Sequence, residues 1–97
     1  MSTEEITAFL DSVTHEDCTL KWKDGIFYCL GMTYSPEENE YCLEVYKDDA
    51  VTHEFVREIL SFTSPSQDEC MKHFTEDKIW DGKSFYEVAH EMEWVDL

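Results

Sequence analysis

The chain has 97 residues, of which 23 are Asp or Glu and only 7 are Lys or Arg, so its formal net charge is −16 at pH 7. This excess disfavours direct binding to nucleic acid, because phosphates are neutralised by Lys and Arg, and it disfavours anionic membrane surfaces for the same reason. Hydrophobic residues make up 42% of the chain. Because that fraction can form a core, we expect one folded domain over residues 1–97.

The sequence carries no targeting or membrane signal. It has no apolar run of 18 residues, and its N-terminal residues lack the basic and apolar regions of a signal peptide. We therefore expect a cytoplasmic protein that does not enter a membrane. In that compartment the four cysteines, Cys18, Cys29, Cys42 and Cys70, are expected to be thiols.

The first predicted element is a helix. Ser2 and Glu5 have the spacing of a capping box, which favours a helix start at this point. Apolar residues then recur at the spacing of one helical face, and the helix is predicted to end near Thr14. The members of this apolar face are Ile6, Phe9, Leu10 and Val13.

Alternation of apolar and polar residues then predicts three antiparallel strands, Cys18–Trp22, Ile26–Tyr34 and Tyr41–Lys47. The first turn allows a two-residue loop, Asp24-Gly25, or a three-residue loop that also contains Lys23. We predict the longer loop, with Gly25 in the left-handed conformation, because it gathers most apolar residues on one face. That face would hold Cys18, Leu20, Trp22, Ile26, Tyr28, Leu30, Met32 and Tyr34.

The same face is predicted to continue into the third strand. A loop over residues 36–39 would pair Tyr34 with Tyr41, Met32 with Leu43 and Leu30 with Val45. The opposite face, which includes Phe27 and Cys29, would be mixed in character, as a solvated or partner-binding face is.

The second half of the chain is predicted to be mainly helical. Apolar residues between Val51 and Leu60 fit a helix with Asp49 as its N-cap. Ser66 and Ser84 begin two further capping boxes, and the last residues, from Glu93, have room for a short strand. The predicted fold is therefore α+β, in the order α-β-β-β-α-α-α, with a three-stranded antiparallel meander and about four helices packed on one sheet face.

Three patterns resemble reactive sites, and none is complete. Gly82-Lys83-Ser84 precedes a helix, but Asp77 stands where a phosphate-binding loop needs glycine. Cys70 and His73 would lie on one helix face, whereas structural zinc takes four ligands. A reactive cysteine needs an electropositive surrounding, which this net charge opposes. We therefore predict no catalytic, cofactor-binding or metal residues, and we keep a small metal-binding or enzymatic domain using Cys70 and His73 as an alternative.

The acidic residues carry the main functional prediction. Acidic groups that flank aromatic side chains suit the binding of a basic protein, since charge steers the encounter and a ring anchors the complex. In composition the chain is similar to acidic immunity proteins and DNA-mimic inhibitors. The main hypothesis is an inhibitor or regulator of a basic protein, such as a nuclease-type toxin; the other is a domain whose charge serves solubility alone. The predicted partner-binding residues are Glu37, Glu38, Glu40, Asp48, Asp49, Tyr86, Glu87, Glu91, Glu93 and Trp94.

Overall fold

The computed structural model describes residues 1–23, 25–49 and 56–95. Within them, five antiparallel strands form one sheet in the order β4-β3-β2-β1-β5. The strands are β1 (Cys18–Trp22), β2 (Gly25–Ser35), β3 (Glu40–Asp49), β4 (Val56–Ser64) and β5 (Glu93–Val95). The helices are α1 (Thr3–Val13), α2 (Gln67–Glu76) and α3 (Phe85–Val88), and a 3₁₀ turn, Ala89–Glu91, follows α3. The predicted α+β class is confirmed. The sheet has five strands, where three and a possible fourth were predicted, and the described residues form three α-helices, where about four were predicted.

Helix α1 begins as its sequence predicts. The Ser2 hydroxyl accepts from the Glu5 amide, and the Glu5 carboxylate accepts from the Ser2 amide, both at 3.1 Å. Thr14 is the C-cap, and the side chains of Phe9 and Val13 are completely buried. The capping box and the apolar face therefore specify this helix locally.

The first hairpin has a register that the sequence analysis did not predict. Trp22 lies opposite Gly25, so the loop is the two residues Lys23 and Asp24, of which Asp24 is outside the described residues. Lys23, with φ 55°, takes the left-handed conformation that was assigned to Gly25. The absence of a side chain at Gly25 has a different use, because a Cβ there would lie 2.9 Å from Cε of Lys47.

This register changes which residues of β2 face the core. Leu20 lies opposite Phe27, and Cys18 lies opposite Cys29, so all four share the buried face. Tyr28 and Leu30, which were predicted on that face, are half-buried on the other side of the sheet. The prediction was wrong because both faces of β2 are apolar, and burial under the helices decides between them.

A β-bulge between Leu30 and Thr33 explains why one predicted pair is correct and others are wrong. Tyr34 lies opposite Tyr41 as predicted, but beyond the bulge Cys29, not Leu30, lies opposite Val45. An extra residue in one strand reverses the faces of the strand beyond it.

The bulge is where the loop after α1 contacts the sheet. A Cβ on Gly31 would lie 2.6 Å from the backbone carbonyl carbon and oxygen of Glu16, so only glycine fits there. The Gly31 amide also donates to the Asp17 carboxylate at 2.8 Å. Gly31 thus joins the α1–β1 loop to β2.

The helix predicted between Val51 and Leu60 is wrong for the part that the structure describes. Residues 56–64 form β4, residues 51–55 lie outside the described residues, and Asp49, the predicted N-cap, ends β3. In β4, Leu60 lies opposite Val45 and Phe62 opposite Leu43, so its apolar residues complete the same core. Apolar residues in this segment fit helical and strand periods alike, and pairing with the edge of β3 decides the outcome.

The C-terminal elements agree more closely with the sequence. Ser66 is the N-cap of helix α2, and its hydroxyl accepts from the Glu69 amide at 3.2 Å. Helix α3 is short and passes into the 3₁₀ turn after Val88; the capping box predicted at Ser84 is wrong, since the Ser84 hydroxyl donates to the Glu87 carboxylate and does not cap the backbone. The short terminal strand is present as β5, paired with β1, while residues 96 and 97 lie outside the described part.

Aromatic rings fill the space between the helices and the sheet. Phe9, Phe74, Trp80 and Phe85 are completely buried, and the ring centroids of Phe74 and Phe85 are 5.1 Å apart. Together with Cys29, Leu43 and Val45 they form one core. We call this side of the sheet the covered face; the other side, with half-buried Tyr28, Leu30, Glu44 and Tyr46, is the open face.

Candidate functional site

The predicted partner-binding acids fall into two groups at opposite ends of the sheet. Glu37 and Glu38 are exposed in the turn between β2 and β3, which begins after Ser35. Glu93 lies opposite Lys21, which in turn lies opposite Ile26 near the start of β2. The rise per residue along β2 separates the two groups by roughly 30 Å. They therefore form two surfaces.

We call the first the Tyr86 surface, defined as Tyr86, Glu87, Glu91 and Glu93. All four side chains are exposed, and Tyr86 has 60% of its surface accessible. Tyr86 projects from the short helix α3, which its buried neighbours Phe85 and Val88 hold against the core. The backbone that carries the exposed ring is therefore held in place.

The start of the chain adjoins the Tyr86 surface. The ammonium group of Met1 donates to the carbonyl oxygens of Ala89, His90 and Met92 at 3.3, 3.1 and 2.7 Å. These contacts bring the first turn of α1, with the exposed carboxylates of Glu4 and Glu5, beside the 3₁₀ turn. This corner therefore holds two more exposed carboxylates, together with the ammonium group of Met1.

The second surface is the turn between β2 and β3. Tyr34 is 45% exposed, and its hydroxyl donates to the side-chain oxygen of Asn39. Its ring lies 5.0 Å from that of Tyr41, beside the exposed Glu37 and Glu38. Glu40, also predicted here, is half-buried at the start of β3.

Two of the predicted residues do not belong to an exposed surface. Asp48 is only 5% exposed, so the expectation that it contributes to an acidic surface is wrong. Trp94 is half-buried, and its ring packs edge-on against Phe9 at 5.4 Å, where it closes the margin of the core. Asp49 is the last residue of β3.

Cys70 and His73 do not converge on a common ligand. The Cys70 side chain is completely buried and points to the Tyr41 carbonyl, at 3.8 Å. The centroid of the His73 ring lies 3.9 Å from that of Phe62, and its Nδ1 lies 3.0 Å from the Asp77 carboxylate. Across the described ranges, no group of three or more His, Cys, Asp or Glu side chains is placed to hold a metal ion.

The cysteines are all free thiols, and their surroundings disfavour the thiolate. Burial raises the pKa of Cys18 to about 11, with a further contribution from the Glu16 carboxylate. Burial also raises the pKa of Cys29, Cys42 and Cys70. Since the thiolate is the nucleophile, none of the four is activated by its environment at neutral pH.

One feature was missed by the sequence analysis. A cavity of about 400 Å³ opens at the end of the covered face, where Lys47 of β3 and Arg57 of β4 are neighbours. We call it the basic pocket, defined by Lys23, Lys47 and Arg57 around a floor that includes Trp22 and Phe27. The sequence does not predict this pocket, because its pattern assigns Arg57 to a helix and Phe27 to the sheet face opposite the predicted core.

None of the helices in the described ranges is long and apolar enough to cross a membrane. Comparison with protein-family models, with curated proteins and with solved structures finds no match to this chain.

Proposed function

We propose that this protein binds a basic protein partner through the Tyr86 surface and thereby inhibits or regulates it. The observation that carries the proposal is the exposure of Tyr86, a large ring that directly precedes the exposed Glu87 on α3. In protein interfaces Tyr is enriched among the residues that contribute most binding energy, while flanking charges speed association.

The distribution of charge supports this choice. Three of the seven basic residues, including the single arginine, line the basic pocket. Fewer cationic groups are thereby left for the remaining surface; at the Tyr86 surface, Lys21 lies opposite Glu93, whereas Glu87 and Glu91 are exposed carboxylates. A local excess of negative potential attracts a cationic surface and repels acidic competitors.

The Tyr86 surface is favoured over the Tyr34 turn on two grounds. The base of Tyr86 is fixed by buried Phe85 and by the three hydrogen bonds of the Met1 ammonium group. A preorganised anchor loses less conformational entropy on binding. The Tyr34 hydroxyl, by contrast, already donates to Asn39 within its own turn.

Isothermal titration calorimetry against a panel of purified basic nucleic-acid enzymes, nucleases included, tests the proposal. We expect at least one complex whose affinity falls strongly between about 50 and 500 mM NaCl, because salt screens the charges that attract the partner. Tyr86→Ala should weaken that complex by about tenfold or more, as loss of an anchor ring does. Glu87→Gln combined with Glu91→Gln should mainly slow association.

The matched control is Glu37→Gln combined with Glu38→Gln, which removes the same charge from the other surface. It should leave the affinity nearly unchanged. If it weakens the complex as much as the Glu87 and Glu91 variant does, the Tyr86 surface is not the binding site. If no member of the panel binds even at low salt, the negative charge serves solubility alone.

A further inference from the structure

The basic pocket has the reverse of the charge balance of the chain. Acidic residues outnumber basic ones by 23 to 7 overall. Among the described residues that line the pocket, three are basic (Lys23, Lys47 and Arg57) and one, Asp81, is acidic. Since charged side chains of this chain are mostly acidic, a concentration of cations at one cavity requires an explanation.

The strand register makes this concentration energetically unfavourable for the protein alone. Phe27, Lys47 and Arg57 form one cross-strand row over β2, β3 and β4, with Lys47 directly opposite Arg57. Like charges that face each other across a strand pair destabilise a sheet, and a bound anion between them would reverse that effect.

The lysines lie against the aromatic floor of the pocket. The Lys47 ammonium is 5.7 Å from the ring centroid of Phe27, and the Lys23 ammonium is 4.5 Å from that of Trp22. Gly25 permits this arrangement, because a Cβ at that position would approach Cε of Lys47 to 2.9 Å. The cations are thus directed over the cavity mouth.

Asp81 confirms how closely the cations converge. It accepts from the Lys23 ammonium at 2.8 Å and lies in a tight turn in which Asp81 and Gly82 both have positive φ, 59° and 76°. The hydrogen bond and charge of Lys23, followed by the charges of Lys47 and Lys83, lower the pKa of its carboxyl. Both partners of the Lys23–Asp81 pair are mostly exposed. Because Asp81 is the single acidic residue among the described lining residues and already pairs with Lys23, Lys47 and Arg57 have no carboxylate of their own in that lining.

We propose that the basic pocket binds a small phosphate monoester with a compact apolar body. A dianionic phosphate matches the excess of cations, and Arg57 can hold two phosphate oxygens in a bidentate contact. The floor formed by Trp22, Phe27, Ile59 and Ile79 would cover the apolar body. The volume falls within the range of small-molecule sites, about 300–1,000 Å³.

Phenyl phosphate is the probe, titrated into ¹⁵N-labelled protein and followed by two-dimensional NMR. We expect saturable shifts of the Trp22 indole N–H and of the Gly25 and Gly82 amides. Inorganic phosphate should shift the same signals with lower affinity, and phenol should bind more weakly still, because each lacks one half of the recognised group. Benzoate, which has one negative charge, should bind more weakly than phenyl phosphate.

The variants Lys47→Gln and Arg57→Gln should each weaken phenyl phosphate binding by about tenfold, the loss expected for one charge-assisted hydrogen bond. Lys72→Gln, on the exposed side of α2, makes the same change in net charge and should leave the affinity within about twofold. The NMR spectra themselves show that each variant remains folded.

Three results would overturn the proposal. One is the absence of shifts at these signals up to about 10 mM phenyl phosphate, a concentration that detects even weak binding. Another is equal weakening by Lys72→Gln, which would mean non-specific attraction to positive charge. The third is benzoate binding as tight as that of phenyl phosphate, which would exclude recognition of the phosphate group. Since neither Lys47 nor Arg57 belongs to the Tyr86 surface, failure here leaves the proposed function standing.

Discussion

The covered and open faces of the sheet are built from alternating residues of the same strands, yet they differ in how deeply their side chains are buried. On the covered face, Cys29 and Val45 are completely buried beneath the aromatic rings of the helices. On the open face, Tyr28 and Tyr46 stay half-buried, and the Tyr46 hydroxyl donates to Glu44. The comparison teaches that apolar character alone does not select the buried face; the helices and the bulge at Gly31 do.

The largest expected effect comes from removing a ring on the covered face. Phe74→Ala should lower the free energy of unfolding by about 3–5 kcal/mol, because it leaves a cavity between Phe9, Trp80 and Phe85. Tyr28→Ala, the matched change on the open face, should cost less than half as much. Urea denaturation followed by tryptophan fluorescence measures both. Equal losses would mean that the open face is also covered in solution.

A smaller effect is expected from glycine substitutions in β2. Gly31→Ala should destabilise by about 1–3 kcal/mol, since its Cβ meets the Glu16 backbone, which cannot move without displacing the α1–β1 loop. Gly25→Ala should have a smaller effect, because its Cβ would meet side chains rather than backbone, namely the flexible end of Lys47 at 2.9 Å and the Phe27 ring at 3.1 Å. Urea denaturation of the two variants tests this order, and the reverse order would contradict the loop contact at the bulge.

The sequence predicts the secondary-structure elements of this fold better than the pairing of its strands and the choice of the buried face. Helix α1 and the turn before Tyr41 depend on local signals, the capping box at Ser2 and the turn residues after Ser35, and both are correct. The pairing of Trp22 with Gly25 depends on which face of β2 the helices cover, and no local pattern records that.

The candidate sites show the same division. The exposure of Tyr86 and Glu87 follows from their place on a short amphipathic helix, so the sequence identifies them. The basic pocket requires Lys47 opposite Arg57, and therefore requires β4. Because apolar residues from Val56 to Leu60 also fit a helix, the sequence alone does not place Arg57 beside Lys47.

Alkaline pH tests the burial of thiols on the covered face, and the variant Cys18→Ala isolates the contribution of one of them. The pKa of Cys18 rises to about 11 in the folded protein, first because of burial and then because of Glu16. The folded state thus holds this proton more tightly than the unfolded state, in which a thiol titrates near 8.5. The resulting stability is complete below about pH 8.5 and is lost as the pH rises through about 11.

We therefore expect the melting temperature to fall between about pH 8.5 and 11, and the fall to be smaller in Cys18→Ala. The control is Cys42→Ala on the open face, whose thiol is less enclosed. Tyr46 adds a second alkaline contribution, since its hydrogen bond to Glu44 raises its pKa to about 12; this contribution is lost between about pH 10 and 12 and overlaps the upper part of the range. An identical fall in wild type and Cys18→Ala would show that burial of the Cys18 thiol does not contribute.

The smallest effect is expected from repulsion among the carboxylates of the open face. At −16, carboxylates such as Glu44 and Glu58 repel one another through water, and added salt screens that repulsion. The melting temperature should rise by a few degrees between about 50 and 500 mM NaCl. It should also rise on mild acidification toward about pH 5–6, because the magnitude of the net negative charge then decreases.

Glu58→Lys places a cation among the open-face carboxylates and should reduce the response to salt, whereas Phe74→Leu should lower the melting temperature without changing that response. These two results would assign the two contributions to different faces. The covered face stabilises the protein through the packing of aromatic rings, and the open face makes its stability depend on ionic strength. A salt response that is unaffected by Glu58→Lys would mean that the repulsion arises elsewhere, and the acids around Tyr86 are the next place to reverse a charge.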